Sequence, residues 1–232
     1  MRDVLAYIML AWIVAMPALG TWRYRRLKRL IAVNPNARLR FYRLTLVTQT
    51  LWSMLVILWA RSGPGLAAIG LAAPRANYSL TVRVAIVGGV IAFVLLTSLP
   101  FLSARGRQLA IDALKSVRDL LPHGPREKRF YAAVAVGAGV SEELLFRGFL
   151  MLLLIPPFGL YGALAAQAVW FGFAHLYQGP RGVILTGCLG ALFALSYVAT
   201  GSLWLAIALH AIIDLRILVL PVGEHASAAK NG

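Results

Sequence analysis

Three of the eight acidic residues in this 232-residue chain, Glu142, Glu143 and Asp214, lie inside stretches apolar enough to cross a bilayer, and two of its four histidines, His175 and His210, lie there with them. An ionised side chain in hydrocarbon costs roughly 2.5–3.5 kcal/mol on insertion scales, so such groups face a cavity or a partner and mark function by default. In FYAAVAVGAGVSEELLFRGFLMLLL, residues 130–154, Glu143 and Arg147 are four apart and share one helical face. Glu142 points about 140° away from Arg147, which leaves Glu143 as the natural ion-pair partner and Glu142 as the freer carboxylate. Glu142 is therefore the candidate general base, able to take a proton from water. In AAQAVWFGFAHLYQG, His175 follows Phe171 by four residues, which stacks ring over ring. In LWLAIALHAIIDLRIL, His210 and Asp214 are again four apart and converge on one face, while Arg216 points the other way and is expected to snorkel to the interface. A carboxylate pair, two histidines and a further carboxylate are the groups needed to activate water and to stabilise an oxyanion. They also form an acceptable ligand set for zinc, although the HExxH spacing is absent. A third reading of the Glu143–Arg147 pair is a buried salt bridge that only fixes helix packing.

The elements that must hold these residues are helices in a membrane. The chain is 60 % hydrophobic with a mean hydropathy of +0.76, against about 45–50 % for a soluble domain. A span needs about 20 mostly apolar residues, and stretches of that kind lie at roughly 4–22, 43–61, 81–102, 130–154, 158–177, 182–200 and 203–221. An eighth, shorter element is expected at 63–73 or 107–121. The fold class is thus all-α, a polytopic membrane bundle of about seven to eight helices. The first stretch has no clear A-x-A site and reads as a retained span rather than a signal peptide. Pro156 and Pro157, Gly179 and Pro180, and the Thr200-Gly201-Ser202 run separate the last spans. Connections that short make neighbours antiparallel, and the small residues Gly137, Ala138, Gly139, Gly187, Gly190 and Ala191 let their backbones approach. Cys188, the single cysteine, is read as a small buried side chain.

The net charge of +15 does not mark a nucleic-acid binder, because the basic residues gather in connections between spans. Arg23, Arg25, Arg26, Lys28, Arg29, Arg38, Arg40 and Arg43 lie between the first two spans. Arg105, Arg107, Lys115, Arg118, Arg126, Lys128 and Arg129 lie between the third and fourth. Such loops stay cytoplasmic, which puts the N-terminus outside and the C-terminus inside. The amphipathic RQLAIDALKSVRDLL stretch is expected to rest on the anionic inner leaflet. Residues 1–128 read as N-terminal spans with basic cytoplasmic loops, 129–221 as the chemical domain and 222–232 as a short cytoplasmic tail.

The order Glu142-Glu143-x-x-x-Arg147, Phe171-x-x-x-His175, His210-x-x-x-Asp214 resembles the CAAX-protease and bacteriocin-processing family, intramembrane endopeptidases related to the type II CAAX prenyl endopeptidase. The IGLAAPR stretch at 69–75 is similar to a loop upstream in bacterial members. The resemblance implies an integral protein of a bacterial inner membrane that hydrolyses a peptide bond of a membrane-associated protein or peptide, at a site opening to the cytoplasm. By that analogy Glu142 and His175 activate the water, and His210 with the residue at 214 supports the oxyanion. Many members carry Asn where this chain has Asp214. An ionised Asp cannot donate to an oxyanion, so Asp214 is protonated, orients His210, or helps to bind a metal. The partners implied are the substrate and the lipid bilayer, with no nucleic acid. No cofactor is needed for a glutamate-type mechanism; zinc remains the other possibility. The competing reading is a non-catalytic scaffold or partner-binding protein, or a proton-coupled transporter, that uses the same polar cluster structurally or as a relay.

Overall fold

A computed structural model describes residues 2–74 and 79–220 of the chain, apart from the side chains of Leu80 and Arg83. Arg75 of the IGLAAPR stretch, the end of the last expected span at residue 221 and the 222–232 tail lie outside the described residues. The described chain is mostly helical, with no strand among those residues: α1 (Arg2–Ile31), α2 (Ala37–Arg61), α3 (Leu80–Leu102), α4 (Ala104–Ala113), α5 (Pro125–Glu143), α6 (Met151–Ala174), α7 (Gly179–Thr200) and α8 (Leu203–Leu215). Five stretches are long and apolar enough to cross a bilayer, namely Arg2–Ile31, Ala37–Arg61, Val84–Leu102, Pro125–Ala174 and Leu176–Thr200. This is the polytopic helical bundle that the hydropathy predicts.

Pro125–Ala174 is 50 residues long and doubles back on itself. Phe146 and Phe171 would be about 37 Å apart on a straight helix at 1.5 Å per residue, yet their rings meet edge to face at 5.0 Å. The reversal falls at Gly159, whose φ of +68° is open to glycine and strained for other residues. The break expected at Pro156-Pro157 is thus displaced by two residues, and both prolines stay within the helical run. The hairpin brings the acidic pair at the end of α5 against the end of α6, where His175 lies.

The last expected span, 203–221, is shorter than its hydropathy suggests. Helix α8 has 13 residues, about 20 Å at 1.5 Å each, and continues only as the 3-10 turn Arg216–Val219. It starts inside the protein: Ser202 and Leu203 are fully buried. The Ser202 hydroxyl donates to the Ala72 carbonyl at 2.8 Å, and the Leu203 N–H donates to the Gly70 carbonyl at 2.8 Å. An apolar sequence in a membrane protein can face lipid or protein, so hydropathy alone overstates the span. The Arg216 guanidinium donates to the Val94 carbonyl of α3 at 3.5 Å. Cys188 is exposed, not buried; lipid is as apolar as a protein core, so a small apolar side chain can sit on either side of α7.

Of the two regions offered for a short extra element, 104–113 is helical and 63–73 is a series of turns. The amphipathic stretch breaks at Leu114, where the chain tightens into the 3-10 turn Lys115–Leu120. Leu109 stays exposed, but Val117 and Leu121 are buried, so part of the flank expected on the leaflet packs into the protein. Three bonds hold it there: Tyr24 OH donates to the Ser116 carbonyl at 2.6 Å, Tyr42 OH to the Leu120 carbonyl at 2.6 Å, and Arg38 Nε to the Asp119 carbonyl at 2.9 Å. Arg38 also pairs with Glu127 at 3.4 Å. Both basic connections therefore sit at the same end of the bundle.

Candidate active site

Helix α5 carries the acidic pair because its last two turns run close against α8. A Cβ added at Gly139 would stand 2.9 Å from the Ile207 carbonyl oxygen, so glycine sets the distance between the two backbones. One turn further on, Glu143 Oε1 accepts from His210 Nδ1 of α8 at 2.8 Å and from Arg147 Nη1 at 3.0 Å. The helix past Glu143 is wound as a π-helix over Leu144–Leu150. Wide turns of that kind are frequent at functional sites, and this one still leaves the Glu143–Arg147 pair intact.

Glu143 and Arg147 are both fully buried. The guanidinium is held through its two Nη atoms and between aromatic rings, while its Nε has no hydrogen-bond partner among the described residues. Nη2 donates to the Gly190 carbonyl of α7 at 2.8 Å, and its carbon stands 4.4 Å from the Phe171 ring centroid and 5.5 Å from that of Phe193. Gln167 Nε2 shares the same Gly190 carbonyl at 3.2 Å. Gln167 has no place in a reading built on ionisable groups, yet it was visible: it precedes Phe171 by four residues and His175 by eight, on the same helical face.

The second carboxylate, Glu142, is treated differently. Its Oε2 is buried without a hydrogen-bond partner, 3.8 Å from His175 Nε2 and 3.9 Å from His210 Nε2. Asp214 Oδ2 lies 3.7 Å from the same His210 nitrogen. These gaps exceed a hydrogen bond, and contacts of that length between polar atoms are where a bridging water fits. Both imidazoles are fixed from behind. His175 Nδ1 is 2.8 Å from the Phe171 carbonyl oxygen, which only accepts, so Nδ1 carries the proton and Nε2 faces Glu142. The stacking expected for this turn is present, with Phe171 and His175 ring centroids 4.9 Å apart. His210 Nδ1 likewise donates to Glu143, which turns its Nε2 towards Glu142 and Asp214.

These groups lie on a cavity of about 290 Å³ lined by Glu142, His175, His210 and Asp214, and by Tyr24 and Tyr42 from the first two helices. The fold thus gathers all six sequence candidates into one cluster and divides them: Glu143 and Arg147 behind the wall, the other four on it. The chemical types suit zinc. However, no group of three or more His, Cys, Asp or Glu among the described residues is arranged to hold a metal ion.

No curated protein and no solved structure matches the chain. A family model does, over residues 127–216, and its description is type II CAAX prenyl endopeptidase Rce1-like. That segment holds Glu142, Glu143, Arg147, His175, His210 and Asp214 and runs from the start of α5 to the end of α8. Residues 127–216 thus match the CAAX prenyl endopeptidase family model, and they lie within a helical bundle that has five stretches long and apolar enough to cross a membrane.

Proposed function

We infer that the protein is an intramembrane endopeptidase in which Glu142 and His175 activate the attacking water and His210, with Asp214, supports the oxyanion. The observation that carries the reading is the unpartnered Glu142 Oε2 facing two histidine Nε2 atoms at 3.8 and 3.9 Å on the cavity wall. A water between Glu142 and His175 gives one hydrogen to the carboxylate and the other to the imidazole lone pair. As its oxygen attacks the scissile carbonyl, Glu142 takes a proton, then delivers it to the departing amide nitrogen. The peptide C–N bond breaks, leaving a new amine and a new carboxyl group, whose proton passes to His175 Nε2 and leaves a carboxylate. With Nδ1 committed to Glu143, His210 can donate to the oxyanion through Nε2 as the imidazolium, whose charge faces Glu143 and Asp214. Glu143 and Arg147 position His210.

Asp214 distinguishes this chemistry from a zinc mechanism. The expected result for Asp214→Asn is activity within about threefold of wild type or above it, because the amide can itself donate to the oxyanion. Metal analysis of purified wild type accompanies the assay. Stoichiometric zinc that disappears in an inactive Asp214→Asn protein would overturn the glutamate-type reading.

The site opens towards the end where both basic connections lie, and we place that end in the cytoplasm, with the N-terminus outside. In a Cys188→Ser background, cysteines introduced at 32–36 and 105–113 should react only with reagent supplied from the cytoplasmic side. Reaction of either segment from outside would reverse the orientation. The substrate on this reading is a membrane-associated protein or peptide.

A further inference from the structure

His210 is tied to the site through the edge of its ring, with Nδ1 on Glu143 and Nε2 towards Glu142 and Asp214. The face of the ring belongs to a residue with no ionisable group. Phe193 of α7 stacks on it, with ring centroids 5.0 Å apart and planes 16° from parallel. Phe193 is 1 % exposed and packs with Ala206 and Leu209 of α8, so its own position is fixed. One turn earlier on α7, the Gly190 carbonyl accepts from the Arg147 guanidinium. The carbon of that guanidinium stands 4.4 Å from the Phe171 centroid and 5.5 Å from that of Phe193, whereas Phe171 meets His210 edge to face at 6.0 Å. The nearer ring of Arg147 is therefore Phe171, and the nearer ring of His210 is Phe193.

An imidazolium at 210 needs negative charge around it, and each carboxylate that faces it has another call on its charge. Glu143 of α5 pairs with Arg147 at 3.0 Å through the oxygen that His210 also uses, so the two charges cancel there. Glu142 faces His175 as well as His210 and loses its charge on taking the proton of the attacking water, just as the oxyanion forms. Asp214, on the same helix as His210, is 36 % exposed, the most of the three, and is screened most by solvent. The face of a benzene ring is negative through its quadrupole, attracts a cation within about 6 Å of its centroid, and takes no proton. Stacked on the imidazole, it favours the charged form throughout the reaction and leaves both N–H groups in the ring plane free for their partners.

We propose that Phe193 is a positioning residue whose ring face holds His210 as the imidazolium that donates to the oxyanion. The purpose of that role rests on the endopeptidase reading, but its effect on His210 is measured without turnover. In the full chain in detergent micelles, Phe193 is replaced by 4-fluoro-, 3,5-difluoro- and 3,4,5-trifluorophenylalanine. Each fluorine withdraws negative charge from the ring face and leaves its size almost unchanged, so the attraction to a cation fades stepwise. Histidine ring nitrogens are labelled, and the nitrogen NMR shifts of His210, assigned by their loss in His210→Gln, give its imidazolium fraction at the pH where it is half protonated in the native protein. That fraction should fall with each fluorine, to about a tenth for the trifluoro ring. In step with it, kcat for a membrane-anchored peptide at the same pH should fall by about tenfold in all, with KM held within about twofold. The unfolding midpoint should stay within a few degrees of wild type.

An imidazolium fraction that stays level across the series overturns the proposal. So does a midpoint that drops in step with the fraction, which would mark a packing role alone, and so does a falling fraction with kcat unchanged, since the imidazolium would then have no part in turnover. If the fraction falls while wild type hydrolyses no peptide, Phe193 does hold His210 charged and the endopeptidase reading is what fails.

Discussion

Glu143→Gln lowers the stability of the protein by about 3–5 kcal/mol, the range seen when one partner of a buried ion pair is removed. The size follows from what Glu143 holds. One oxygen accepts from both Arg147 and His210, and neither donor reaches solvent there, because Glu143 and Arg147 are fully buried. The amide leaves a buried guanidinium facing a neutral group. For a chain of this length the midpoint of thermal unfolding falls by about 6–20 °C, measured in detergent with activity followed in parallel. Arg147→Met in the same protein should restore most of the loss, since removing both charges is far less costly than stranding one. The Gly190 carbonyl that Arg147 releases keeps its second donor, Gln167. An unchanged midpoint in Glu143→Gln would show that the pair does not hold the bundle together.

The second large effect is on rate and leaves stability alone. Glu142→Gln should reduce peptide hydrolysis by about 10²–10⁴-fold, the contribution of a positioned general base, while the unfolding midpoint stays within a few degrees of wild type. The amide fills the same volume but cannot take the proton. Because Glu142 Oε2 has no hydrogen-bond partner among the described residues, its replacement strands nothing. The two adjacent glutamates thus give opposite signatures, stability from Glu143 and rate from Glu142. Comparable activity in Glu142→Gln and wild type would remove Glu142 from the mechanism.

The geometry behind that proposed division of labour was partly legible in the sequence. The Glu143–Arg147 pair follows from i, i+4 spacing, and it forms even though the helix widens to a π-turn at Leu144–Leu150. The freedom of Glu142, the stacking of Phe171 on His175 and the approach of Asp214 to His210 follow from the same helical geometry. What spacing cannot supply is contact between helices. The bond from His210 to Glu143 spans 67 residues; it makes His210 a partner of Glu143 as well as a neighbour of Glu142. Gln167 and the Gly190 carbonyl escaped notice because neither is ionisable. Helix ends were the least legible feature. Hydropathy carries the last span to 221, but α8 stops at Leu215. The prolines at 156 and 157 look like the break, but the one residue there with a positive φ is Gly159. Burial of Cys188 was misread because an apolar side chain in a membrane protein has two apolar places to go.

A double-mutant cycle reads whether Glu142 and His175 act on the same water. Hydrolysis of a membrane-anchored peptide is measured for wild type, Glu142→Gln, His175→Ala and the double variant, each checked for an intact unfolding midpoint. Groups that act as a unit are strongly non-additive, so the double variant should be no slower than the worse single variant by more than a few fold. Losses that multiply in the double variant would mean that the two side chains act independently, and the account of one water shared between Glu142 Oε2 and His175 Nε2 would be wrong.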